Sequence, residues 1–570
     1  MHYIIGKNIN FHDLIIKTFT ALFFLALIIF ISYFGLPLTD ESFPIAISMR
    51  FIQGQKPFVD DFSPYISLGL LLSPLVKLSL LIHNGKNELI LFLRHSYILV
   101  NVLLGGYVFF STKKYLPSMA AFFIGIFVLS FHAFGINNFH YDTLGMTLWT
   151  VILFQLFNFL FQENNKPQEY ILFSFLNLAL CLSYPTFAFL LFFLYLGCSF
   201  FLQEKKPFWF SHLLTITFAS IFMAGLFFYY FQIQLSDINN ALQFNKNLLT
   251  ISSHGHTTLG KITSIFEQLV ITYGKFIVLI CLLATIVLRL QKTRWLVPIF
   301  FGVVLIAPIF NIDLMNSEFI ATFYFFNCIG FSGAIIYWFF LRHNDLAKKL
   351  FYSIWIPAFF GGILTSTTSY NLELNFALGF SPASILGFIF AYLAAEKACA
   401  FCKINTLPSY FITRGILLYG FIMLAFFQVN FIYGETKRGI NIYKNVTKFI
   451  IPGPFQGLYL NSFENEVLTS LQKDIAAIDT DPNKFVYFGP FSSGYLLVEQ
   501  LKPGEHLLCI PYTIDHFGRE VKLPNYTFDL SRALNLPKDD IKTYLARDNY
   551  KKISSTQYYD IYYGEGAREN

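Results

Sequence analysis

The sequence predicts a polytopic α-helical membrane protein with a soluble α/β domain at its C-terminal end. First, 55% of the 570 residues are hydrophobic and only 13% are charged. Second, apolar runs of about 20 residues, enough to cross a bilayer core of roughly 30 Å, recur between residues 14 and 433. Third, charges and turn signals such as TDPNK and LKPGE appear throughout residues 434–570, between short β-type runs such as KFVYFGP.

The placement of Lys and Arg predicts the side of the membrane on which each loop lies, because cytoplasmic loops are enriched in these residues. The N-terminal segment is expected in the cytoplasm, and so are the basic loops that contain Lys113, Lys166, Lys205, Lys292, Arg342 and Lys397. The first span, residues 14–34, then delivers the loop 35–64 to the outer side. The formal charge of +6 is explained by the cytoplasmic loops and gives no reason to invoke nucleic acid.

About thirteen spans satisfy this assignment. They are expected at residues 14–34, 89–110, 117–135, 142–161, 170–184, 186–202, 208–232, 264–290, 295–310, 319–341, 350–369, 376–396 and 410–433. The segment 66–82 would break the alternation if it crossed fully, so at about 17 residues it is expected to lie along the outer interface or to re-enter. Tyr184–Pro185 is the predicted break between two of the spans.

The predicted organisation has two parts. Residues 1–433 form a transmembrane domain whose N-terminus is cytoplasmic and whose first outer loop is 35–64. Residues 434–570 form a soluble α/β domain on the outer face. The expected location is the cell membrane, with membrane lipids around the spans.

Most of the non-basic polar groups in the membrane loops fall on the predicted outer side. They are Asp40 and Glu41, Asp142 in FHYD, His254 and His256, Asp313 and Glu318, and the stretch TSTTSYNLELN around Glu373. Ionisable groups at a membrane edge are costly to order, so such a cluster marks a candidate functional site. A site is therefore expected at the outer surface.

The strongest candidate is the pair Asp40–Glu41, near the start of the stretch PLTDESFPIAISMRFIQGQKPFVDDFSP. Adjacent residues on a regular element point apart, so only one of the two carboxylates is expected to face a reaction centre. The alternative is that Thr39 or Asp40 only caps the helix that follows.

Asp142 and His140 form a second candidate, in the run FHYDTLGMTLW at the outer start of a later span. Asp142 either stabilises the N-terminus of this helix or pairs with the carboxylates of the first loop. His140 is a candidate substrate-binding residue.

Cations and further carboxylates follow the Asp40–Glu41 pair along the chain. Arg50, Lys56 and Arg94 are candidate partners of a phosphate, since Arg presents a planar fork of donors. The alternative is that these side chains are solvated or touch lipid headgroups. Asp60 and Asp61 either bind hydroxyl groups of a substrate or lie in a hydrated loop.

The sequence indicates no certain cofactor or metal site. His254 and His256, in SSHGHTT, are weak candidates for ligating a divalent metal together with a carboxylate such as Asp313 or Glu318. The alternative is a polar loop that binds no metal.

A DE pair that opens a long first outer loop directly after the first span resembles the GT-C fold glycosyltransferases. The stretch DESFPIAISMRFIQGQKPFVDDFSP is similar to that of bacterial members related to protein O-mannosyltransferases and lipid A aminoarabinose transferases. In that family an acidic residue of this loop is catalytic, and the matching residue is Asp40, with Glu41 beside it. Asp142 matches a second family Asp that begins a later span. Members often carry a Lys or His before paired prolines where this chain has Asp61-Phe62-Ser63-Pro64.

The resemblance implies an enzyme that moves a sugar from a polyprenyl-phosphate-linked donor to a glycan, lipid or protein acceptor on the outer face. Asp40 would be the base, Asp142 would hold its geometry and Glu41 would support it. The phosphate charge would go to Arg50, Lys56 or Arg94. Two other classes stay open: a secondary transporter or lipid flippase, and a non-catalytic subunit of a glycan assembly or export complex.

Overall fold

The structure is a computed structural model, and its description covers most of the chain. The described residues are 11–59, 66–161, 167–201, 225, 229–240, 242–243, 258–289, 296–310, 318–368, 375–401, 406–430, 443–478, 484–489, 491–499, 502–503, 525–533, 545 and 550–564.

Most of the described residues before residue 431 lie in helices. Their bounds are α1 Phe11–Ser32, α2 Ser42–Ile52, α3 Ile66–Ile82, α4 Leu89–Thr112, α5 Ser118–Ser130, α6 Tyr141–Phe161, α7 Pro167–Ser183, α8 Phe187–Phe201, α9 Thr258–Arg289, α10 Leu296–Phe310, α11 Glu318–Ile336, α12 Asp345–Leu350, α13 Ile356–Thr367, α14 Phe376–Phe401 and α15 Thr406–Asn430. Two π-helical turns, Tyr337–Leu341 and Phe351–Trp355, continue α11 and join α12 to α13.

Within the described residues, eight helical segments are long and apolar enough to cross a membrane. They are Asp13–Ser32, Leu89–Thr112, Tyr141–Leu160, Gly260–Arg289, Ile320–Leu341, Asp345–Thr367, Phe376–Ala400 and Phe411–Asn430. A bilayer core of roughly 30 Å requires about 20 apolar helical residues. The predicted class, a polytopic helical membrane protein, is therefore confirmed.

The remaining five predicted spans differ from these eight. Those at 117–135, 170–184, 186–202 and 295–310 form helices of 13, 17, 15 and 15 residues. The span predicted at 208–232 lies mostly outside the described residues. The predicted break at Tyr184–Pro185 is confirmed, because α7 ends at Ser183 and α8 begins at Phe187.

The first predicted outer loop contains a buried helix. Ten residues of α2, Ser42 to Phe51, are buried, and the helix packs against α3. The contact is close, since a Cβ atom added at Gly69 would lie 2.4 Å from Cγ2 of Ile47. Burial on this scale gives the segment after Asp40 and Glu41 a defined conformation.

Two glycines allow α13 and α14 to approach each other. A Cβ atom added at Gly379 would lie 2.0 Å from the carbonyl carbon of Gly361. Trp149 of α6 donates from Nε1 to the Gly379 carbonyl at 2.9 Å. In α14, 94% of the segment long enough to span is buried, so this helix is central to the described bundle.

The described residues of the C-terminal region form short strands and helices. The strands are β1 Val446–Lys448, β2 Tyr459–Asn461, β3 Phe485–Tyr487, β4 Lys502–Pro503, β5 Tyr526–Asp529, β6 Lys551–Ser555 and β7 Asp560–Tyr563, and the helices are α16 Ser462–Ala477 and α17 Ser492–Leu497. β1 and β2 form an antiparallel pair, and the other strands form a sheet in the order β4-β3-β5-β7-β6. β3 is parallel to β4 and β5, while β7 is antiparallel to β5 and β6.

Backbone hydrogen bonds attach the C-terminal region to one end of the helical bundle. The Tyr459 amide donates to the Tyr33 carbonyl at 2.7 Å, and the Gly35 amide donates back to Tyr459 at 3.0 Å. The Glu88 amide donates to the Gly453 carbonyl at 3.0 Å. The C-terminal end of α1, the N-terminal end of α4 and the C-terminal region therefore share one end of the bundle.

Replacing Gly379 by Ala is expected to lower the free energy of unfolding by about 1–3 kcal/mol, the usual cost of forcing a methyl group into a filled interface. Gly415→Ala is the control, because a Cβ atom at Gly415 meets no atom within 4 Å. Thermal unfolding in detergent measures both variants. Equal melting temperatures would contradict the close approach of α13 and α14.

Candidate active site

A buried ion pair joins the first loop to α4. Glu41, at the N-cap position of α2, forms no cap hydrogen bond with its side chain. Its carboxylate instead accepts from Arg94, Nε to Oε1 at 2.6 Å and Nη2 to Oε2 at 2.5 Å. Both side chains are buried. The bidentate geometry is that of the strongest carboxylate–guanidinium pairs.

Arg94 also binds the end of α1. Nη1 donates to the carbonyls of Ser32 at 2.6 Å and Phe34 at 3.3 Å, and Nη2 donates to Gly35 at 2.8 Å. With the two bonds to Glu41, all five guanidinium N–H groups are used. Carbonyls at a helix end lack hydrogen-bond donors within the helix, and Arg94 provides these donors. This arrangement favours a positioning role for Arg94 over the predicted contact with phosphate.

Asn138 brings a second loop to the same carboxylate. Its Nδ2 donates to Oε1 of Glu41 at 2.8 Å, while its Oδ1 accepts from the Phe139 amide at 2.8 Å. The loop that precedes Asp142 is thereby held against the loop that contains Asp40. The sequence analysis did not single out Asn138; its position four residues before Asp142 was the available signal.

The adjacent carboxylates Asp40 and Glu41 occupy opposite environments. Asp40 is exposed, whereas Glu41 is buried. The Asp40 carboxylate lies close enough to Asp142 for the two side chains to interact electrostatically. The prediction that only one member of the pair faces the candidate site agrees with this arrangement. The N-cap position of α2 is Glu41, whose side chain forms no cap hydrogen bond, and capping by Thr39 or Asp40 stays an alternative.

Asp142 lies in the first turn of α6 and is buried beside His140. The Asp142 amide approaches Nδ1 of His140 at 3.4 Å, and Oδ2 lies 3.8 Å from the same nitrogen. Burial lowers the pKa of the His140 imidazole to about 3, so the ring is neutral at neutral pH and the contact is not an ion pair. The other oxygen of Asp142, Oδ1, has no hydrogen-bond partner among the described residues.

Aromatic side chains flank this pair. The Tyr141 ring lies 4.0 Å from the His140 ring and 6.0 Å from the Tyr184 ring, centroid to centroid. Tyr184 also interacts with Asp142 electrostatically and lies beside Thr368 and Asn375. The turn after α7 and the turn before α14 therefore reach the same site, and Thr368 and Asn375 both belong to the stretch TSTTSYNLELN that the sequence analysis assigned to the outer side.

The C-terminal region holds the backbone around Asp40. The Ser493 amide donates to the Leu38 carbonyl at 3.1 Å, and the Ser493 and Ser42 hydroxyls lie 2.8 Å apart. The Ser492 hydroxyl donates to the Thr39 carbonyl. These serines belong to the start of α17, so the GPFSSG segment contacts the site from a position more than 400 residues along the chain.

Lys86 fixes the other end of α17. Its Nζ donates to the carbonyls of Leu496 at 3.2 Å and Val498 at 2.5 Å. Burial lowers the pKa of the Lys86 ammonium to about 8, against the opposing attraction of Glu499. A cation at a helix C-terminus is favourable, and Lys86 thereby helps to hold α17 on the first loop.

Arg50 and Lys56 lie at the opposite end of α2. Arg50 is buried in the last turn, and its Nε donates to Oε1 of Gln55. Lys56 is half-buried in the segment that follows. At 1.5 Å per residue, the backbone of Arg50 lies roughly 12 Å along the helix axis from Ser42. The structure thus does not place these cations beside Asp40, and their role toward phosphate stays a prediction.

Several candidates fall outside the described residues. They are Asp60, Asp61, His254, His256, Asp313 and Glu373. Glu318 begins α11, but its side chain is not described. Among the residues that the structure does describe, no group of three or more His, Cys, Asp or Glu side chains could hold a metal ion.

No protein-family model, no curated protein and no solved structure matches this chain. Its function must therefore be inferred from the chemistry of the site. That site comprises an exposed carboxylate, a buried carboxylate and a neutral imidazole, positioned by a buried ion pair and by the C-terminal region.

Replacing either Glu41 or Arg94 by Met is expected to lower the free energy of unfolding by about 3–5 kcal/mol, because each change leaves a buried charge without its partner. The double variant should lose less free energy of unfolding than the two single variants lose together. Unfolding in detergent measures this coupling, and Arg342→Met removes an exposed guanidinium as the control. Additive losses would show that the pair does not stabilise the site.

The lowered pKa of Lys86 predicts that stability rises with pH. The pKa of Lys86 is about 8 in the folded chain and about 10.5 in the unfolded chain. Between these two pH values the unfolded chain binds one proton more than the folded chain. The free energy of unfolding should therefore increase by up to about 1.4 kcal/mol per pH unit across this range. Below pH 8 both states are protonated and the cost of burying the charge is constant.

The check is unfolding in detergent at a series of pH values. Lys86→Met should remove this rise, whereas Lys473→Met, which changes an exposed lysine, should retain it. Identical pH profiles for wild type and Lys86→Met would contradict the assignment.

Proposed function

We propose that this chain is a glycosyltransferase that moves a sugar from a polyprenyl-phosphate-linked donor to an acceptor on the outer face of the cytoplasmic membrane. The observation that carries the proposal is that Asp40, in the loop before α2, and Asp142, in the first turn of α6, lie close enough to interact electrostatically. Glycosyl transfer needs a carboxylate that removes or orients the acceptor hydroxyl proton. The resemblance of the first loop to GT-C enzymes supports the same chemistry.

Asp40 is the proposed base. Its carboxylate is exposed, so it can reach an acceptor that approaches from water and can release the proton to solvent. Asp142 is the proposed orienting group, because its Oδ1 lacks a hydrogen-bond partner among the described residues. A substrate hydroxyl would satisfy that buried oxygen, whose burial without a partner is otherwise costly.

Glu41 acts in this proposal as a positioning residue. Its two oxygens accept from Arg94, and Oε1 also accepts from Asn138. A carboxylate paired in this way is poorly suited to proton transfer, whereas it holds the neighbouring Asp40 in place.

Three groups are proposed to contact the donor. Since the guanidinium of Arg94 binds Glu41, Arg50 or Lys56 is proposed to stabilise the phosphate charge. His140 is neutral, and its Nδ1 accepts from the Asp142 amide. The proton is then on Nε2, which becomes a donor for a sugar hydroxyl.

The proposed orientation has about thirteen spans, a cytoplasmic N-terminus and an extracytoplasmic C-terminal domain. Its support is twofold. The basic loops assign the loop 35–64 to the outer side, and the C-terminal region contacts the adjoining residues Gly35, Leu38 and Thr39. The acceptor would then meet the donor at the junction of the membrane and the C-terminal domain.

Asp40→Asn and Asp142→Asn are each expected to lower sugar transfer by about a hundredfold or more, the usual contribution of a positioned acid–base group. The donor is first identified by mass spectrometry as the lipid-linked sugar that accumulates in a deletion strain. Transfer is then measured in purified membranes. The control is Asp345→Asn, which changes an exposed carboxylate at the start of α12.

Full activity of Asp40→Asn, with normal expression, would remove Asp40 from the mechanism. Uptake of a solute into proteoliposomes without any sugar transfer would instead favour a transporter.

A further inference from the structure

One face of α4 changes from polar to apolar along the helix. Phe92, His95, Leu99 and Leu103 follow one another at steps of three or four residues, which places them in a single stripe, and Glu88 directly precedes the helix. Leu99 and Leu103 are 60% and 64% exposed. Because α4 is long and apolar enough to span a membrane, these two leucines face lipid, and the stripe leads from lipid toward the polar end of the helix.

The polar end of the stripe opens into a groove of about 480 Å³. Its walls include Tyr33 after α1, His83 after α3 and Lys448 of β1. The Tyr33 ring contacts the His95 ring at 5.3 Å. The groove thus lies where the membrane helices meet the C-terminal region, and its aromatic residue Tyr33 directly follows α1.

An unsatisfied group in the groove and an exposed apolar side chain close to Lys448 in the chain point to a ligand. Nε2 of His95 is buried and has no hydrogen-bond partner among the described residues. Ile450, two residues after Lys448, is 77% exposed on the C-terminal region. A large apolar side chain exposed beside a cation suits contact with lipid.

The charges of the groove select among membrane lipids. Among the described residues that line it are one ammonium, Lys448, and one carboxylate, Glu88, together with the imidazoles of His83 and His95. An anionic headgroup would pair with Lys448 but would meet the Glu88 carboxylate. A headgroup that carries both a phosphate and a primary ammonium pairs with both side chains.

The groove is separate from the candidate active site. Arg94, Tyr97 and Asn101 lie on the opposite, buried face of α4, and Arg94 faces Glu41 there. A ligand in the groove would therefore not contact Asp40 or Asp142 directly.

We propose that this groove binds an aminophospholipid of the adjacent leaflet, with the phosphate at Lys448 and His95, the ammonium at Glu88 and an acyl chain along Leu99 and Leu103. The lipid would bridge α4 and the C-terminal region. This inference does not depend on the glycosyltransferase proposal.

Native mass spectrometry of the full-length protein in detergent tests the proposal. The protein is titrated with phosphatidylethanolamine, phosphatidylcholine and phosphatidylglycerol of identical acyl chains. Wild type should bind phosphatidylethanolamine about tenfold more tightly than either of the others, which corresponds to about 1.4 kcal/mol. Preference for phosphatidylglycerol, or equal binding of all three lipids, would overturn the proposal without any variant being needed.

Two variants locate the site. Lys448→Gln should weaken all three lipids about tenfold, which corresponds to the loss of one ionic contact, while Lys473→Gln, an exposed lysine of α16, should leave binding unchanged. Glu88→Gln should abolish the preference for phosphatidylethanolamine over phosphatidylglycerol. The melting temperature of each variant confirms folding. Wild-type affinities in folded Lys448→Gln and Glu88→Gln would place the lipid elsewhere and overturn the assignment.

Discussion

The buried pair of Glu41 and Arg94 is the interaction on which the candidate site depends. A guanidinium whose five donors bind Glu41 and the carbonyls at the end of α1 joins α1, α2 and α4 at one point. Each charge is costly to bury alone, so the pair forms only when all three helices are correctly placed. The same constraint turns Glu41 inward and Asp40 outward, and it thereby produces two carboxylates with different chemistry from one dipeptide.

The C-terminal region also restrains the loop that the ion pair positions. Ser492 and Ser493 donate to the backbone carbonyls of Thr39 and Leu38, directly before Asp40, and Lys86 binds the far end of the same short helix. A six-residue helix has little stability of its own, so α17 depends on these contacts as much as the loop does. The exposed Asp40 therefore sits on a backbone that is restrained from both the membrane helices and the C-terminal region.

The sequence was sufficient where the determining physics is local or periodic. Apolar runs predicted the long helices, and Pro185 predicted the break between α7 and α8. It was insufficient where a partner is distant in the chain. An isolated Arg94 looks like a phosphate ligand, and nothing local indicates that Glu41 uses its donors. Asn138 and Ser493 are unremarkable polar residues until the fold brings them to the loop.

The charge pattern of α2 connects the two ends of the proposed reaction. Asp40 and Glu41 precede its N-terminus and Arg50 lies in its last turn, which is the arrangement that the helix dipole favours at both ends. Because these ends are separated by roughly 12 Å of backbone, one glycosidic oxygen cannot contact both. A donor that reaches both ends of α2 would instead present its phosphate toward Arg50 and its sugar toward Asp40. The buried helix, rather than a flexible loop, would then set the distance between the departing phosphate and the attacking hydroxyl.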